Sequence, residues 1–541
     1  MRKDLFILKR SLLFFCSLLF TAAINAEDPE QYGAPFDGVP DAPDAVIYQV
    51  NMRCFSETGD FQGVIDRLDH IEDLGVNVIY LMPFYPVGIL DAFNSPYCIR
   101  DFTSVAEEFG TLEDLRDLVD GAHSRGMAVM IDWIINQTSW DHPWITEHED
   151  WYEQDGEGNI EQFRSYSDVA ALDLSNEEVV DAMIDAMRYW VFAANIDGFR
   201  MDVGDAPPIS VWEQVISNLR SISTHKLLLL SEGNRSQNYT AGFDYNFGFT
   251  FYFNTLEDIF SGSSVSLINT ANSSEYINAD DTQRIVRYLT NHDVYGSDGS
   301  PYNLFGGRGG VMASFVVITL MKSVPFIYNG LEVGCTVNIP FPFTGNDINW
   351  TEDVTVTPEM TNIINIFHDI EAARRGDLTS YTTYDICAFK KEMESSPVGI
   401  FVVVNFRNEE KTFELPEEFT DATVNDLLAD ASTDLETSLT LSAYEYRIFS
   451  YDVVVGIETP STEKTTLAYP NPSPDGLIHV KLNGDYNNVR MVVYDFQGIN
   501  TYENIINRPE NTVDLSGLSK GIYILNLISS ENIYSQKLVI Q

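Results

Sequence analysis

Four acidic residues stand at or just beyond the ends of short apolar runs that lie far apart in the chain. Asp132 follows Met127–Ile131, Asp202 closes Gly198–Asp202, Glu232 follows Leu227–Leu230, and Asp293 comes shortly after Arg284–Leu289. If those runs are neighbouring strands, the four carboxylates converge on one cleft. Carboxylates crowded together repel, and their pKa values are driven apart. One then stays protonated as a general acid while another stays ionised as a nucleophile, which is the chemistry of glycosidic-bond cleavage. Arg200 would keep Asp202 ionised. By themselves, Arg200 and Asp202 fit a buried structural ion pair equally well, because two opposite charges on one face of a short strand must be paired. The aromatics Tyr97, Trp133, Trp140, Trp144 and Trp151 offer flat apolar faces to sugar rings, although each single tryptophan fits packing better than ligand contact.

The elements that must position these residues alternate. Ala45–Val50 reads as a strand, Val64–Leu74 as a helix closed by Gly75, and Val76–Met82 as a second strand. Leu112–Ser124 is helical, and Met127–Ile131 is a third strand ending at Asp132. The amphipathic run Glu177–Ala193 leads into the strand Gly198–Asp202, and helix Val211–Ser221 leads into Leu227–Leu230. Arg284–Leu289 and Phe326–Tyr328 are later strands separated by the apolar helix Val311–Met321. This rhythm predicts a parallel sheet, and a count approaching eight strand–helix units favours a closed (β/α)8 TIM barrel. In such a barrel the C-terminal strand ends share one face, where active sites sit. No glycine-rich fingerprint follows the first strand, which counts against a dinucleotide site. The aperiodic stretch 138–171 interrupts the rhythm and reads as an insertion beside that face.

At 541 residues the chain holds several domains. The barrel occupies 44–375, an all-β module 376–455, a polar linker 456–466 and a last β module 467–541. Strands of the middle module are expected at Ile386–Phe389, Gly399–Phe406 and Tyr444–Tyr451. Those of the last are expected near Ile478–Leu482, Arg490–Tyr494, Gly521–Leu527 and Ser535–Ile540. Residues 1–26 read as a secretory leader: Arg2, Lys3, Lys9 and Arg10 precede the apolar run Leu12–Leu19, with cleavage expected near Ala26. Beyond the leader, Cys54, Cys98, Cys335 and Cys387 lack metal-type spacing, and their pairing is open. A net charge of −49 argues against nucleic acid or an anionic surface as partner, and suits a neutral substrate.

The carboxylate-bearing stretches also carry a resemblance. Asp132-Trp133-Ile134-Ile135-Asn136-Gln137, Gly198-Phe199-Arg200-Met201-Asp202, Leu230-Ser231-Glu232-Gly233-Asn234 and Thr290-Asn291-His292-Asp293 resemble, in order and spacing, the four signature regions of the α-amylase family (glycoside hydrolase family 13). Ser95-Pro96-Tyr97 and Pro325-Phe326-Ile327-Tyr328-Asn329-Gly330-Leu331-Glu332 resemble two further family segments. The resemblance implies a barrel with a small inserted domain B at 138–171 and a β-sandwich domain C. It implies Asp202 as nucleophile, Glu232 as acid/base and Asp293 as the third carboxylate. Arg200 and His292 match their partners, Tyr97 the aromatic under the sugar whose bond is cut, and Asp132 and Gln137 further substrate-binding positions. Gln137 departs from the family, which usually has His there. Asp205-Ala206 stand where many α-amylases have Lys-His. The family's calcium would use Asn136, with Asp173 either a second ligand or a helix-start residue. The acidic first-loop calcium motif of some relatives is absent, since Ser56-Glu57-Thr58-Gly59-Asp60 is too short.

The last module resembles the sorting domain of proteins exported by the type IX secretion system. The resemblance lies in Tyr469-Pro470-Asn471-Pro472, Val493-Tyr494-Asp495-Phe496-Gln497-Gly498 and Leu518-Ser519-Lys520-Gly521-Ile522-Tyr523, and it makes that module a β-sandwich. These resemblances imply a secreted, monomeric enzyme, extracellular or attached to the outer-membrane surface, whose partners are an α-glucan and the secretion machinery. The expected reaction is cleavage of α-1,4 bonds in starch, glycogen or malto-oligosaccharides. The alternatives are a transglycosylase or exo-acting α-glucosidase on the same scaffold, or a catalytically weakened glucan-binding protein.

Overall fold

The computed structural model describes residues 28–453, 467–482, 489–495, 499–528 and 533–541. The expected leader 1–26 and the expected linker 456–466 lie outside the described residues. The chain divides into two compact units, one ending at Val453 and one beginning at Val454.

Eight parallel strands close a barrel in the first unit: β1 (Ile47–Val50), β2 (Val78–Leu81), β3 (Ala128–Trp133), β4 (Gly198–Met201), β5 (Leu228–Ser231), β6 (Tyr245–Phe247), β7 (Arg284–Tyr288) and β8 (Ser323–Tyr328). Each strand pairs with its neighbours in chain order, and β8 returns to β1 with Ile47 opposite Phe326. Every residue of these strands is buried, as parallel strands covered on both faces must be. The fold class expected from the sequence is thus the observed one. The sixth strand escaped notice because its three residues are too few to show periodicity.

The helices that set the strand ends carry legible signals. Helix Leu112–His123 opens on a capping box in which Thr111 and Asp114 bond reciprocally, and it buries Leu115, Leu118, Val119 and Ala122. Helix Glu177–Ala194 is capped by Asn176 and stopped by Asn195 in the left-handed conformation (φ 56°). The chain then enters β4 through Asp197, whose buried carboxylate accepts from Val129 N–H at 2.8 Å and contacts His123 Nε2 at 2.7 Å. Those bonds fasten the start of β4 to β3 and to the end of helix Leu112–His123. The run expected as one helix over Val64–Leu74 is split into Phe61–Ile65 and Leu68–Asp73. Arg67 leaves helical geometry at the break and lays its guanidinium 4.0 Å from the Trp350 ring centroid.

Between β3 and β4 the inserted segment makes a small antiparallel hairpin, Gln137–Ser139 with Val169–Ala171. After the barrel, a six-stranded antiparallel sheet is built around Ile386–Glu392, Val398–Asn405 and Tyr446–Asp452. Alternation divides its side chains: Cys387, Phe389, Ile400, Val402 and Ile448 join the barrel's core, while Ile386, Ala388, Phe401, Val403 and Phe449 form a second one. The second unit packs a three-stranded sheet and a four-stranded sheet around Ile478, Val480, Met491, Val493, Leu525 and Leu538. Cys54, Cys98, Cys335 and Cys387 are buried free thiols.

Candidate active site

The β3, β4 and β5 ends meet at one guanidinium. Arg200, on β4, is 1% exposed. Its Nη1 donates to Asp132 Oδ1 and to Asp202 Oδ1, each at 2.8 Å, and its Nη2 lies 2.5 Å from Glu232 Oε1. Parallel register explains the convergence: Asp132 is opposite Arg200, and Met201 is opposite Ser231, so Asp202 and Glu232 leave adjacent strands side by side. Three carboxylates share one buried cation. The cluster carries surplus negative charge in a site of low dielectric, where it holds a proton more readily than the same groups in water.

Burial is the main cause of the shifts that follow. It pushes the Glu232 carboxyl up to about 7, against the pull of Arg200 and with the help of Asp293 and Asp132. Asp202 is raised as well, first by burial, with Arg200 opposing and the negative charge of Glu232 adding to it. Both shifts favour a protonated carboxyl beside Arg200. Val203 N–H donates to Glu232 Oε2 at 2.7 Å. Val203 does so from the left-handed region (φ 46°), which a β-branched residue rarely adopts. Strain of this kind at a strand end is a mark of a functional segment.

A second chain of bonds leads away from Asp132. Tyr80 O–H donates to Asp132 Oδ2 at 2.6 Å and Tyr97 O–H at 3.2 Å. Tyr97 O–H also lies 2.7 Å from His292 Nε2, and its ring stacks against the imidazole with centroids 5.7 Å apart. Gln49, on β1, sets the tautomer of that imidazole. Its Oε1 accepts from the His292 backbone N–H at 3.3 Å, so its amide nitrogen is the end that reaches His292 Nδ1, at 2.8 Å. An amide nitrogen only donates, hence Nδ1 accepts and the ring proton sits on Nε2, facing Tyr97 and Asp293. Burial lowers the His292 pKa, which keeps the ring neutral. Gln49 carries no sequence signal of its own, being one polar residue in an apolar strand.

Asp293 opens the helix His292–Ser297, whose cap Asn291 Oδ1 accepts from Asp293 N–H at 2.9 Å. Its side chain is 60% exposed and reaches His292 Nε2 at 3.3 Å. It lines a cavity of about 530 Å³ together with Tyr97, Gln137, Asp202, Glu232 and His292. Gln137 Nε2 donates to Tyr97 O at 3.4 Å, while its Oε1 is buried without a partner. Asp205 accepts from Asn234 N–H and Asn238 Nδ2, each at 2.9 Å, and so braces the loop that follows Glu232.

Of the sequence-selected aromatics, Tyr97 lines the cavity. Trp133 is fully buried against Tyr85, Phe102 and Phe199. Trp144 and Trp151 pack on each other, and Trp140 Nε1 donates to Ser167 O at 2.9 Å. The exposed rings at the cavity are instead Phe93, Tyr166 and Phe341, on three separate loops that show no periodicity.

The two residues weighed for calcium, Asn136 and Asp173, both have protein partners. Asn136 Nδ2 donates to Asp202 O at 3.1 Å, a brace behind the proposed nucleophile. Asp173 Oδ1 accepts from Ser175 N–H at 2.9 Å and Ser175 O–H at 2.6 Å, ahead of helix Glu177–Ala194. Among the described residues no three His, Cys, Asp or Glu side chains gather to hold an ion.

Comparison with known proteins agrees with this architecture. The family model of the α-amylase catalytic domain matches residues 37–163 and 149–374, and that of a secretion system C-terminal sorting domain matches 467–541. Alpha-amylase MalA of Haloarcula japonica is 26% identical over 405 residues, which cover 71% of this chain and 58% of the relative's length. Trehalose synthase/amylase TreS of Mycobacterium tuberculosis is 34% identical over 196 residues, 29% of this chain and 32% of that protein. Among solved structures, an alpha-amylase from Lactobacillus plantarum superposes with a TM-score of 0.68 at 24% identity, covering 76% of this chain and 99% of its own. At that identity the structural likeness speaks for the fold alone.

Proposed function

The chain belongs to the α-amylase catalytic-domain family of glycoside hydrolases, and we propose that it is a retaining enzyme cleaving α-1,4-glucosidic bonds of starch, glycogen or malto-oligosaccharides. The observation that carries this reading is the sharing of one guanidinium by Asp202 and Glu232 at the wall of a cavity that Asp293 also lines. Asp202 attacks the anomeric carbon as the glycosidic C–O bond breaks, and Glu232 delivers its proton to the leaving oxygen. Glu232, now ionised, takes a proton from water, whose oxygen forms the new bond to the anomeric carbon and releases Asp202. Two displacements on one carbon retain its configuration. Asp293 and the His292 Nε2–H face the bound sugar and stabilise charge that grows in the transition state. Asp132 holds Arg200 and Tyr97 in register rather than meeting the reacting atoms. The match to a sorting domain supports export through the type IX system, to the medium or the outer-membrane surface.

The test is incubation with soluble starch and with maltotriose, followed by product separation and early anomer analysis by NMR. Shorter malto-oligosaccharides released as the α-anomer are expected. An absence of products from every α-glucan overturns the proposal. A transglycosylase is the second reading, supported by the name of the trehalose synthase/amylase relative. It requires that maltose yield a transfer product in preference to glucose.

A further inference from the structure

The wall that the inserted segment gives to the cavity holds a carboxylate that the mechanism above does not use. Asp168 immediately precedes the strand Val169–Ala171 and lines the same cavity as Asp202, Glu232 and Asp293. It is 8% exposed. Among the described residues no other residue donates a hydrogen bond to its carboxylate, which faces its own backbone N–H. The Cys98 thiol holds the Asp168 backbone carbonyl at 3.1 Å, which fixes the segment and leaves the carboxylate turned to the cavity. Among the described residues no cation pairs with it, and Arg200 is taken up by Asp132, Asp202 and Glu232. Burial accordingly raises the Asp168 carboxyl above its ordinary range.

A carboxylate at a cavity wall with no protein donor loses hydration on burial and regains hydrogen bonds only from what enters the cavity. Gln137, on the facing strand of the hairpin, adds a second unpartnered acceptor in its buried Oε1. A cavity-facing carboxylate with no protein donor suits a ligand rich in O–H groups. A sugar ring meets that need, since adjacent hydroxyls reach both oxygens of one carboxylate. Phe93, Tyr166 and Phe341, 62%, 50% and 52% exposed, line the same cavity and offer apolar faces to such a ring.

We propose that Asp168 is a specificity-determining residue that accepts hydrogen bonds from the hydroxyls of a glucosyl unit and holds the substrate against the inserted segment. The proposal rests on the α-glucan reading above. It has a signature that a structural carboxylate would lack: removing the charge weakens substrate binding yet relieves the free enzyme of an unpaired buried group.

The experiment uses full-length Asp168→Asn and Asp168→Ala, with maltotriose and soluble starch as substrates and a thermal melt for each variant. Loss of a charge-assisted hydrogen bond should raise KM about 10- to 100-fold. The value of kcat should stay within about threefold of the wild type, and the melting temperature should be unchanged or higher. The isosteric Asn variant keeps the test open if the Ala variant does not fold. Wild-type turnover with KM unchanged in the variants overturns the role of Asp168 alone. A lowered melting temperature with KM unchanged also overturns it, by making the residue structural. No wild-type turnover on either glucan is instead the failure of the α-glucan reading, and this proposal falls with it.

Discussion

Two arginines are buried in the barrel to the same degree and do different work. Arg287, on β7, is fully buried; its Nη2 lies 2.6 Å from Glu275 Oε2 and donates to Asn272 Oδ1 at 2.8 Å. Its guanidinium carbon is 4.3 Å from the Phe251 ring centroid, and Glu275 Oε1 accepts from Phe251 N–H at 2.9 Å. One positive charge meets one negative charge, and both carboxylate oxygens are engaged. Arg200 faces three carboxylates, and two of them, Asp202 and Glu232, open onto a cavity. Burial and pairing therefore do not mark a functional ion pair. Unbalanced charge and access to a ligand do, because only a surplus of carboxylate holds a proton to transfer and only an open one reaches a substrate.

The largest expected effect comes from the unbalanced side. Asp202→Asn removes the attacking carboxylate and should lower turnover by roughly 10⁴-fold or more, by analogy with other nucleophile deletions. Its far-UV spectrum and melting temperature should be retained, since the cluster loses charge it holds in excess. An active Asp202→Asn enzyme would end the nucleophile assignment.

Glu275→Gln tests the balanced side. Leaving Arg287 as an unpaired buried cation should cost roughly 3–5 kcal/mol of stability, read from urea unfolding, while the folded fraction keeps its kcat. A fall in kcat without a fall in stability would erase the contrast between the two arginines.

Gln49→Leu perturbs the catalytic side at one remove. Freed from its lock, His292 loses the fixed Nε2–H tautomer, and kcat/KM should drop about 10- to 100-fold, the usual cost of losing a residue that orients a site histidine. The ¹⁵N shifts of the His292 ring report the tautomer directly; an unchanged tautomer in the variant refutes this role for Gln49.

The gentlest probe is pH. The Asp202–Glu232 pair must keep one proton for the leaving oxygen, and Glu232 is raised to about 7. Activity that needs this proton is present below that value and lost above it. The basic limb of kcat/KM should fall about tenfold per pH unit beyond pH 7. A plateau extending to pH 9 would show that the proton is not held as described.

Legibility in the sequence followed the range of the forces involved. The caps at Thr111, Asp114 and Asn176, and the apolar strands, are local and readable from spacing. The split at Arg67 was not, because Trp350, far along the chain, supplies the contact. The four carboxylates were readable because each ends or closely follows an apolar run. Gln49, Asp168 and the rim rings Phe93, Tyr166 and Phe341 were not, because isolated residues on strands and loops acquire meaning only from what folds against them. The tryptophans went to packing, as expected of each taken singly, because bulky aromatics are drawn into the core unless something holds them out.

The sequence by itself determined the barrel, the strand ends that carry chemistry and the identity of the groups able to do it, since alternation of apolar runs and capping residues is written in neighbouring positions. Only the tertiary structure decided what Arg200 and Asp202 are paired with. Taken alone they matched a structural ion pair as well as a site. Parallel register set Asp132 and Glu232 on the same guanidinium, and charge balance is a sum over strands that no single segment contains. The same holds for Gln137, whose idle oxygen, like the Asp168 carboxylate, is defined by what does not bond to it.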